Sequence, residues 1–255
     1  MNYYLILVIV LFIYMSFWFV VSLIKKRNDV ADVAWGLGFV FIAWTSFFLS
    51  DGLAGKRGLL VGVLISIWGL RLAWHIYSRN KGKLEDYRYL AWRKEWGKWF
   101  YLRSYFQVYL LQGMFLFIIA MPILIINKSV ATSLILFDLL GVVVWCLGFC
   151  FEAVGDAQLT RFIKNPANKG KLMQGGLWAY TRHPNYFGEV ALWWGIWFIT
   201  LSVTNGWLSI IGPLTITFLI LKVSGIPMLE KKMALHPDFV EYKKRVSVFF
   251  PLPTK

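Results

Sequence analysis

Long apolar runs, separated by short charged or glycine-bearing segments, set the pattern of this chain. They fall at roughly 3–24, 33–50, 58–78, 106–127, 133–154, 187–204 and 206–224. Each is near the ~20 residues that carry a helix across a bilayer. The pattern predicts an all-α polytopic integral membrane protein with about seven transmembrane helices. Soluble core helices fit poorly, because a helix in a water-soluble fold keeps a polar face and most of these runs have none. The basic cluster Lys25-Lys26-Arg27 follows the first run rather than preceding it, and no small-residue cleavage site is present. The first run therefore reads as a retained span.

Composition agrees, with 58% hydrophobic and 18% aromatic residues among 255, far from a soluble average. The net charge of +14 is unevenly placed. Three Lys and Arg lie at 25–27, eight from Arg79 to Arg103, five from Arg161 to Arg182 and seven from Lys222 to Lys255. Seven spans put all of these on one side, 23 of 27, leaving Lys56, Arg57, Arg71 and Lys128 elsewhere. The positive-inside rule makes that side cytoplasmic, with the N-terminus outside and the C-terminus inside. Much of the charge suits anionic headgroups, so membrane lipids are the expected macroscopic partner and nucleic acid is not. No long linker, low-complexity tract or repeat interrupts the chain, which reads as a single transmembrane domain over residues 1–255. Compactness and the lack of an organelle-targeting extension point to a monomer in a bacterial inner membrane.

P-loop, dinucleotide GxGxxG, HExxH and GxSxG signatures are absent. Cys146 and Cys150 sit i,i+4 in an apolar run with no His or carboxylate at metal spacing. They read as buried apolar residues, and no metal site is expected.

Polar residues that enter the spans carry the chemistry, since an ionisable group there must be paired or face a wet cavity. Asp32 stands at the edge of the second span, after Asp29, as a helix-start carboxylate or a general acid beside Trp35 and Gly36. Arg71, His75 and Arg79 share one face of the third span, with Tyr77, Ser78 and Asn80 at its end. The next loop, Glu85-Asp86-Tyr87-Arg88-Tyr89 followed by Trp92, Trp96 and Trp99, reads as a helix in the interface plane or as a platform for a purine nucleotide. Gln112 is the deepest amide of the fourth span. At the end of the fifth, Glu152, Asp156 and Gln158 precede Arg161 and Lys164, carboxylates for ribose hydroxyls beside cations for phosphate. In Gln174-Gly175-Gly176-Leu177-Trp178-Ala179-Tyr180-Thr181-Arg182-His183-Pro184-Asn185-Tyr186-Phe187-Gly188-Glu189, the GG pair reads as a flexible turn and Pro184 as a helix start. Arg182 and His183 there present cations at a helix N-terminus.

The order of Asp156, Arg161, Lys164, the Gly-Gly-Leu turn and Arg182-His183-Pro184-Asn185-Tyr186-Phe187-Gly188-Glu189 resembles the C-terminal half of the steroid five-alpha-reductases and their bacterial relatives of unassigned function. The likeness covers roughly 140–255. The wider superfamily includes sterol reductases and isoprenylcysteine carboxyl methyltransferases, so the resemblance implies a site for NADPH or for S-adenosylmethionine. In the reductases this region wraps NADPH. By that likeness Asp156 holds ribose, Arg161 and Lys164 hold phosphate, and Asn185 and Glu189 take the nicotinamide side. Tyr180, Arg182, His183, Tyr186, Glu230 and Tyr242 complete the cofactor-binding part, and Arg71 and Asn80 match a rim on the third span. The steroid enzymes use a Glu on the second span and a Tyr on the third to hold an enone carbonyl. Asp32 and Trp68 stand there in this chain, and an indole donates one hydrogen bond without relaying a proton.

The resulting expectation is a membrane NADPH-dependent reductase of a carbon-carbon double bond in a lipid or steroid-like small molecule, with Asp32, Tyr77 and Gln112 near the substrate. An S-adenosylmethionine-dependent methyltransferase, with His183 and Glu230 near the methionine moiety, is the alternative. A non-catalytic lipid-binding protein of the same fold is the third reading.

Overall fold

The computed structural model describes residues 2–50, 55–130 and 133–254. Lys255, counted among the cations above, lies outside them. The described residues form helices joined by turns, and none forms a named strand. Packing divides the chain into two compact units, Met1–Leu134 and Ile135–Lys255.

In the first unit, α1 (Tyr3–Lys25), α2 (Val30–Phe48) and α3 (Gly55–Asn80) are followed by α4 (Tyr87–Trp96). Helix α2 begins three residues before the expected span, which brings Asp32 into its first turn. α2 and α3 cross where Gly36 meets Gly69: a Cβ on either would stand 2.7 or 2.6 Å from the other's carbonyl oxygen. In lipid, where hydrophobicity does not drive helices together, such close backbone approach supplies the packing. Helix α5 (Phe100–Ser104) runs through a π-turn at Tyr105–Leu110 into α6 (Leu111–Ile119), and α7 (Met121–Lys128) follows. The expected fourth span, 106–127, is therefore interrupted at Ala120. Pro122 in the first turn of α7 offers no N–H and resists straight continuation.

Hydrogen bonds close the unit at both ends. At one, Tyr3 donates to the carbonyls of Ser46 (3.5 Å) and Leu124 (3.4 Å), and Asn127 Nδ2 donates to Ser46 Oγ at 2.7 Å. At the other, Arg27 joins the α1–α2 turn to the α3–α4 connection through the Lys83 carbonyl at 2.8 Å.

The second unit is organised by α8 (Leu136–Lys164) and α9 (Pro184–Thr200), followed by α10 (Ile211–Phe218), α11 (Ile226–Met233) and α12 (Phe239–Arg245). Glycines recur every seven residues along both facing stripes, Gly141, Gly148 and Gly155 on α8 and Gly188 and Gly195 on α9. A Cβ on Gly141 would lie 2.6 Å from Gly195 O, one on Gly148 2.6 Å from Gly188 O, and one on Gly155 3.2 Å from Asn185 N. Contacts that advance along α8 while retreating along α9 make the pair antiparallel.

Among the described residues six helical runs are long and apolar enough to cross a membrane: α1, α2, α3, Tyr87–Ile119, α8 and Gly206–Met233. They suggest a multi-pass membrane protein. The remaining expected span, 187–204, forms α9, whose 17 residues reach about 26 Å at ~1.5 Å per residue, short of a ~30 Å hydrocarbon core. The expectation that Cys146 and Cys150 are buried is corrected, because both are exposed. The glycine stripe turns the opposite face of α8 inward, and a helix in lipid keeps an apolar outer face as well as an apolar inner one.

Two outcomes follow for purified protein in detergent. Gly148→Val forces Cβ onto the Gly188 carbonyl and lowers thermal stability by at least about 2 kcal/mol, the usual scale of overpacking. Gly175→Ala, with nothing within 4 Å of its would-be Cβ, leaves the Tm unchanged. The second concerns Asp86, which caps α4 through Arg88 N–H (3.0 Å) and pairs with Arg88 Nε (2.9 Å). Burial pushes its carboxyl up, but the hydrogen bonds and charge of Arg88 outweigh that and hold it below the ordinary aspartate value. Its contribution is present above about pH 4 and is lost as pH falls through its depressed value. Wild type and Asp86→Asn should differ in Tm at pH 7 and converge toward pH 3.

Candidate functional site

In the second unit the segment around Gly175–Glu189 is a hydrogen-bonded loop leading into α9. Gly176 has φ of 62°, a left-handed backbone that suits glycine, and its missing Cβ leaves room for Gln158, whose Oε1 accepts from Leu177 N–H at 2.9 Å. Trp178 Nε1–H donates to Gly155 O at 3.2 Å, and the Trp178 carbonyl accepts from Tyr242 O–H at 2.6 Å. The C-terminal segment returns along this loop. Arg182 N–H donates to Ser247 O (2.9 Å), Thr181 Oγ1 to Phe249 O (2.8 Å) and Leu252 N–H to Tyr180 O (3.0 Å). The turn expected to be flexible is thus pinned from three directions.

Arg182 is 4% exposed. Its Nε and Nη2 each lie 2.7 Å from Glu230 Oε1, and its Nη1 donates to the carbonyls of Val246 (2.6 Å) and Lys243 (3.3 Å). A planar fork of donors suits this three-way task. His183, fully buried, brings Nε2 to 3.4 Å from the same Glu230 oxygen and stacks on Tyr186 at 5.9 Å between ring centroids. Its Nδ1 has no partner among the described residues. Two residues on, Asn185 Nδ2 donates to Asp156 Oδ1 at 3.1 Å, while Asn185 Oδ1 is buried without a partner among the described residues.

The fold therefore gathers the expected residues into two neighbouring groups, Arg182–His183–Tyr186–Glu230 and Asp156–Asn185, on either side of Pro184. Glu189 lies one turn beyond Asn185, partly buried, and Glu152 lies buried one turn before Asp156. Arg161 and Lys164 are exposed on the last turns of α8, and Tyr180 is half exposed. Tyr242 acts as a strut beneath Trp178. Its hydroxyl is fully buried, and burial pushes its pKa up from the ordinary tyrosine value.

In the first unit Asp32 accepts from Arg88 Nη2 at 2.6 Å and from Tyr89 O–H at 2.8 Å. Its neighbour Asp29 accepts from Arg27 Nη2 (2.7 Å), Asn80 Nδ2 (3.4 Å) and Asp86 N–H (3.3 Å). Asn80 is thus a pin between α3 and the start of α2. Arg71 lies partly buried, midway along α3. Tyr77 is 46% exposed with its ring 5.9 Å from Trp74, and Gln112 Oε1 is buried without a partner. Asp32 is therefore gathered with Arg88 and Tyr89. Trp68 is a core residue, 5.5 Å from the Phe39 ring.

Arg88 and Tyr89, read as a purine platform, turn inward instead. They lie 56 and 57 residues from Asp32, and no local pattern announces that pairing. The glycine stripe was visible as a seven-residue spacing and signals where α9 must touch α8. Among the described residues no group of three or more His, Cys, Asp or Glu is placed to hold a metal ion.

Residues 18–246 match the family described as "Protein of unknown function (DUF1295)". An uncharacterized protein of the fission yeast Schizosaccharomyces pombe is 25% identical over 266 residues, covering 90% of this chain and 72% of its own length. A relative in a eukaryote gives the expected bacterial inner membrane no support. A probable O-methyltransferase of Ustilaginoidea virens is 36% identical over 66 residues, 26% of this chain and 22% of its own length. No solved structure matches the chain at a significant level. With residues 18–246 matched, the protein belongs to the DUF1295 family, which is related to steroid five-alpha-reductase-like proteins.

Proposed function

We propose that this protein is a membrane-embedded NADPH-dependent reductase of a carbon-carbon double bond in a lipid or steroid-like substrate. The observation that carries the reading is the juxtaposition at the α8–α9 crossing. A part-buried Asp156–Asn185 pair, with an unused acceptor on Asn185, stands five and eight residues before the exposed Arg161 and Lys164. A ligand that fits must bring a donor for Asn185 Oδ1 and negative charge for the two cations. A phosphorylated dinucleotide brings both. When bound, its dihydronicotinamide supplies the hydride.

Within this reading Asp156 accepts ribose hydroxyls, Arg161 and Lys164 neutralise phosphate, and Asn185 and Glu189 face the nicotinamide side. Arg182 does not reach the ligand. It holds Glu230 and the C-terminal segment, and so positions His183 and Asn185. In the first unit Asp32 and Tyr89 form the candidate proton-handling pair, with Asp32 orienting the Tyr89 hydroxyl and Arg88 holding Asp32. The substrate enters from the bilayer.

The local likeness to a probable O-methyltransferase favours a second reading, a methyltransferase with Glu230 and His183 near the ammonium group of S-adenosylmethionine. That cofactor carries no phosphate and leaves Arg161 and Lys164 without a role.

Thermal-shift titrations with NADPH, NADH and S-adenosylmethionine separate the two. A ligand at 100 times its Kd stabilises by about 2.7 kcal/mol, and NADPH should do so. Arg161→Ala and Lys164→Ala should each weaken NADPH about tenfold, the scale of one hydrogen bond to a charged group, with no change in the Tm of the unliganded protein. A shift with S-adenosylmethionine alone sinks the reductase reading.

Arg182→Ala behaves differently. It strands Glu230 and two carbonyls and lowers the unliganded stability by about 3 kcal/mol, the scale of a broken buried pair. Arg182→Lys does not restore it, because one ammonium cannot span all three acceptors.

A further inference from the structure

Two basic segments far apart in sequence, Lys25–Arg27 and Arg79–Arg103, form one surface at one end of the first unit. Arg27 reaches across from the α1–α2 turn to the carbonyls of Asn80 (3.5 Å), Lys83 (2.8 Å) and Leu84 (3.4 Å). Arg93 of α4 reaches back to the carbonyl of Lys26 at 3.5 Å. These contacts join the Lys25–Arg27 turn to the Asn80–Leu84 connection and tie α4, which carries Lys94, to that turn.

The charges of this end are sorted. Asp29, Asp32, Glu85 and Asp86 are partly or fully buried and are taken by Arg27, Arg88 and Arg93 at 2.6 to 3.1 Å. The lysines are left outside: Lys25, Lys26, Lys81, Lys83, Lys94 and Lys98 are all exposed, and Glu95 is the exposed carboxylate among them. Apolar groups are exposed within the same surface, with Leu84 at 87% and Trp99 at 54%, and Lys98 Nζ lies 5.7 Å from the Trp99 ring centroid. Trp92 and Trp96 stack beneath at 5.2 Å, and Arg93 lies 4.0 Å over Phe100, so the platform beneath the lysines is packed.

A surface with outward ammonium groups, exposed aromatic and aliphatic side chains and almost no outward carboxylate complements a phosphate that carries acyl chains. A free phosphate would gain nothing from Leu84 or Trp99. We propose that this end of the first unit is a binding site for anionic phospholipid headgroups, built from Lys26, Lys83 and Lys94 with Lys25, Lys81 and Lys98 around them. The site is independent of the reductase reading, since none of these lysines belongs to the proposed cofactor or proton-handling residues.

The full chain in neutral detergent is mixed with dioleoylphosphatidylglycerol, dioleoylphosphatidylcholine or inorganic phosphate at equal concentration, and thermal stability and bound lipid are read, the latter by native mass spectrometry. Phosphatidylglycerol should raise the Tm and remain bound where phosphatidylcholine does not. The difference should shrink at 0.5 M NaCl, where screening is short-ranged. Lys26→Gln/Lys83→Gln/Lys94→Gln should lose at least tenfold in phosphatidylglycerol affinity while keeping its Tm in detergent. Lys56→Gln/Lys128→Gln, exposed cations elsewhere in the unit, should keep wild-type affinity. Equal retention of the two lipids, equal losses in both variants, or a full effect from inorganic phosphate would each overturn the proposal. If the triple variant fails to fold, the lipid comparison and salt dependence of the wild type still decide it.

Discussion

Where α8 and α9 cross, each helix presents glycine to the other's backbone, and a Cβ on Gly141, Gly148 or Gly195 would stand about 2.6 Å from main-chain atoms of the opposite helix. Much of the second unit follows from that clearance. Gly155, the last of the stripe, admits Pro184 and the amide of Asn185 to the surface of α8. That places Asn185 on Asp156, and the carbonyl of Gly155 is left to receive Trp178. A wider spacing would separate Asp156 from Asn185 and leave each buried polar group short of a partner. Close packing and polar satisfaction are here one constraint, because dispersion draws the helices together and the approach makes the hydrogen bonds possible.

Arginine solves a different problem. Arg27, Arg88, Arg93 and Arg182 each bind a carboxylate, and Arg27, Arg93 and Arg182 bind backbone carbonyls as well. Charged groups away from water demand several well-directed contacts at once, and the rigid guanidinium fork supplies them where an ammonium does not. The lysines, strongly hydrated on flexible stems, stay outside. These four arginines therefore tie buried carboxylates and carbonyls together, while the lysines stay exposed.

A residue that looks like a ligand group in one dimension can be a structural post in three. Arg182 has the type and the position, at a helix N-terminus, of an anion-binding residue. The folded chain turns all three guanidinium nitrogens to Glu230 and two carbonyls. Beside Arg182, His183 Nδ1 and Asn185 Oδ1 are left without a partner among the described residues.

The apolar runs alone determined that the chain is helical and suited to a membrane, because length and hydropathy are properties of each segment taken by itself. The motif from Gly175 to Glu189 marked where the polar chemistry gathers, since its residue types are unusual in an apolar chain. Which faces turn inward was not legible in that way. Cys146 and Cys150 share their apolar surroundings with buried neighbours yet lie outside, and the fourth run is interrupted at Ala120, just ahead of Pro122. The partners of Asp32 depend on an encounter across more than fifty residues. Tertiary structure decided these because pairing and facing are properties of two segments at once, set by how closely their backbones can approach.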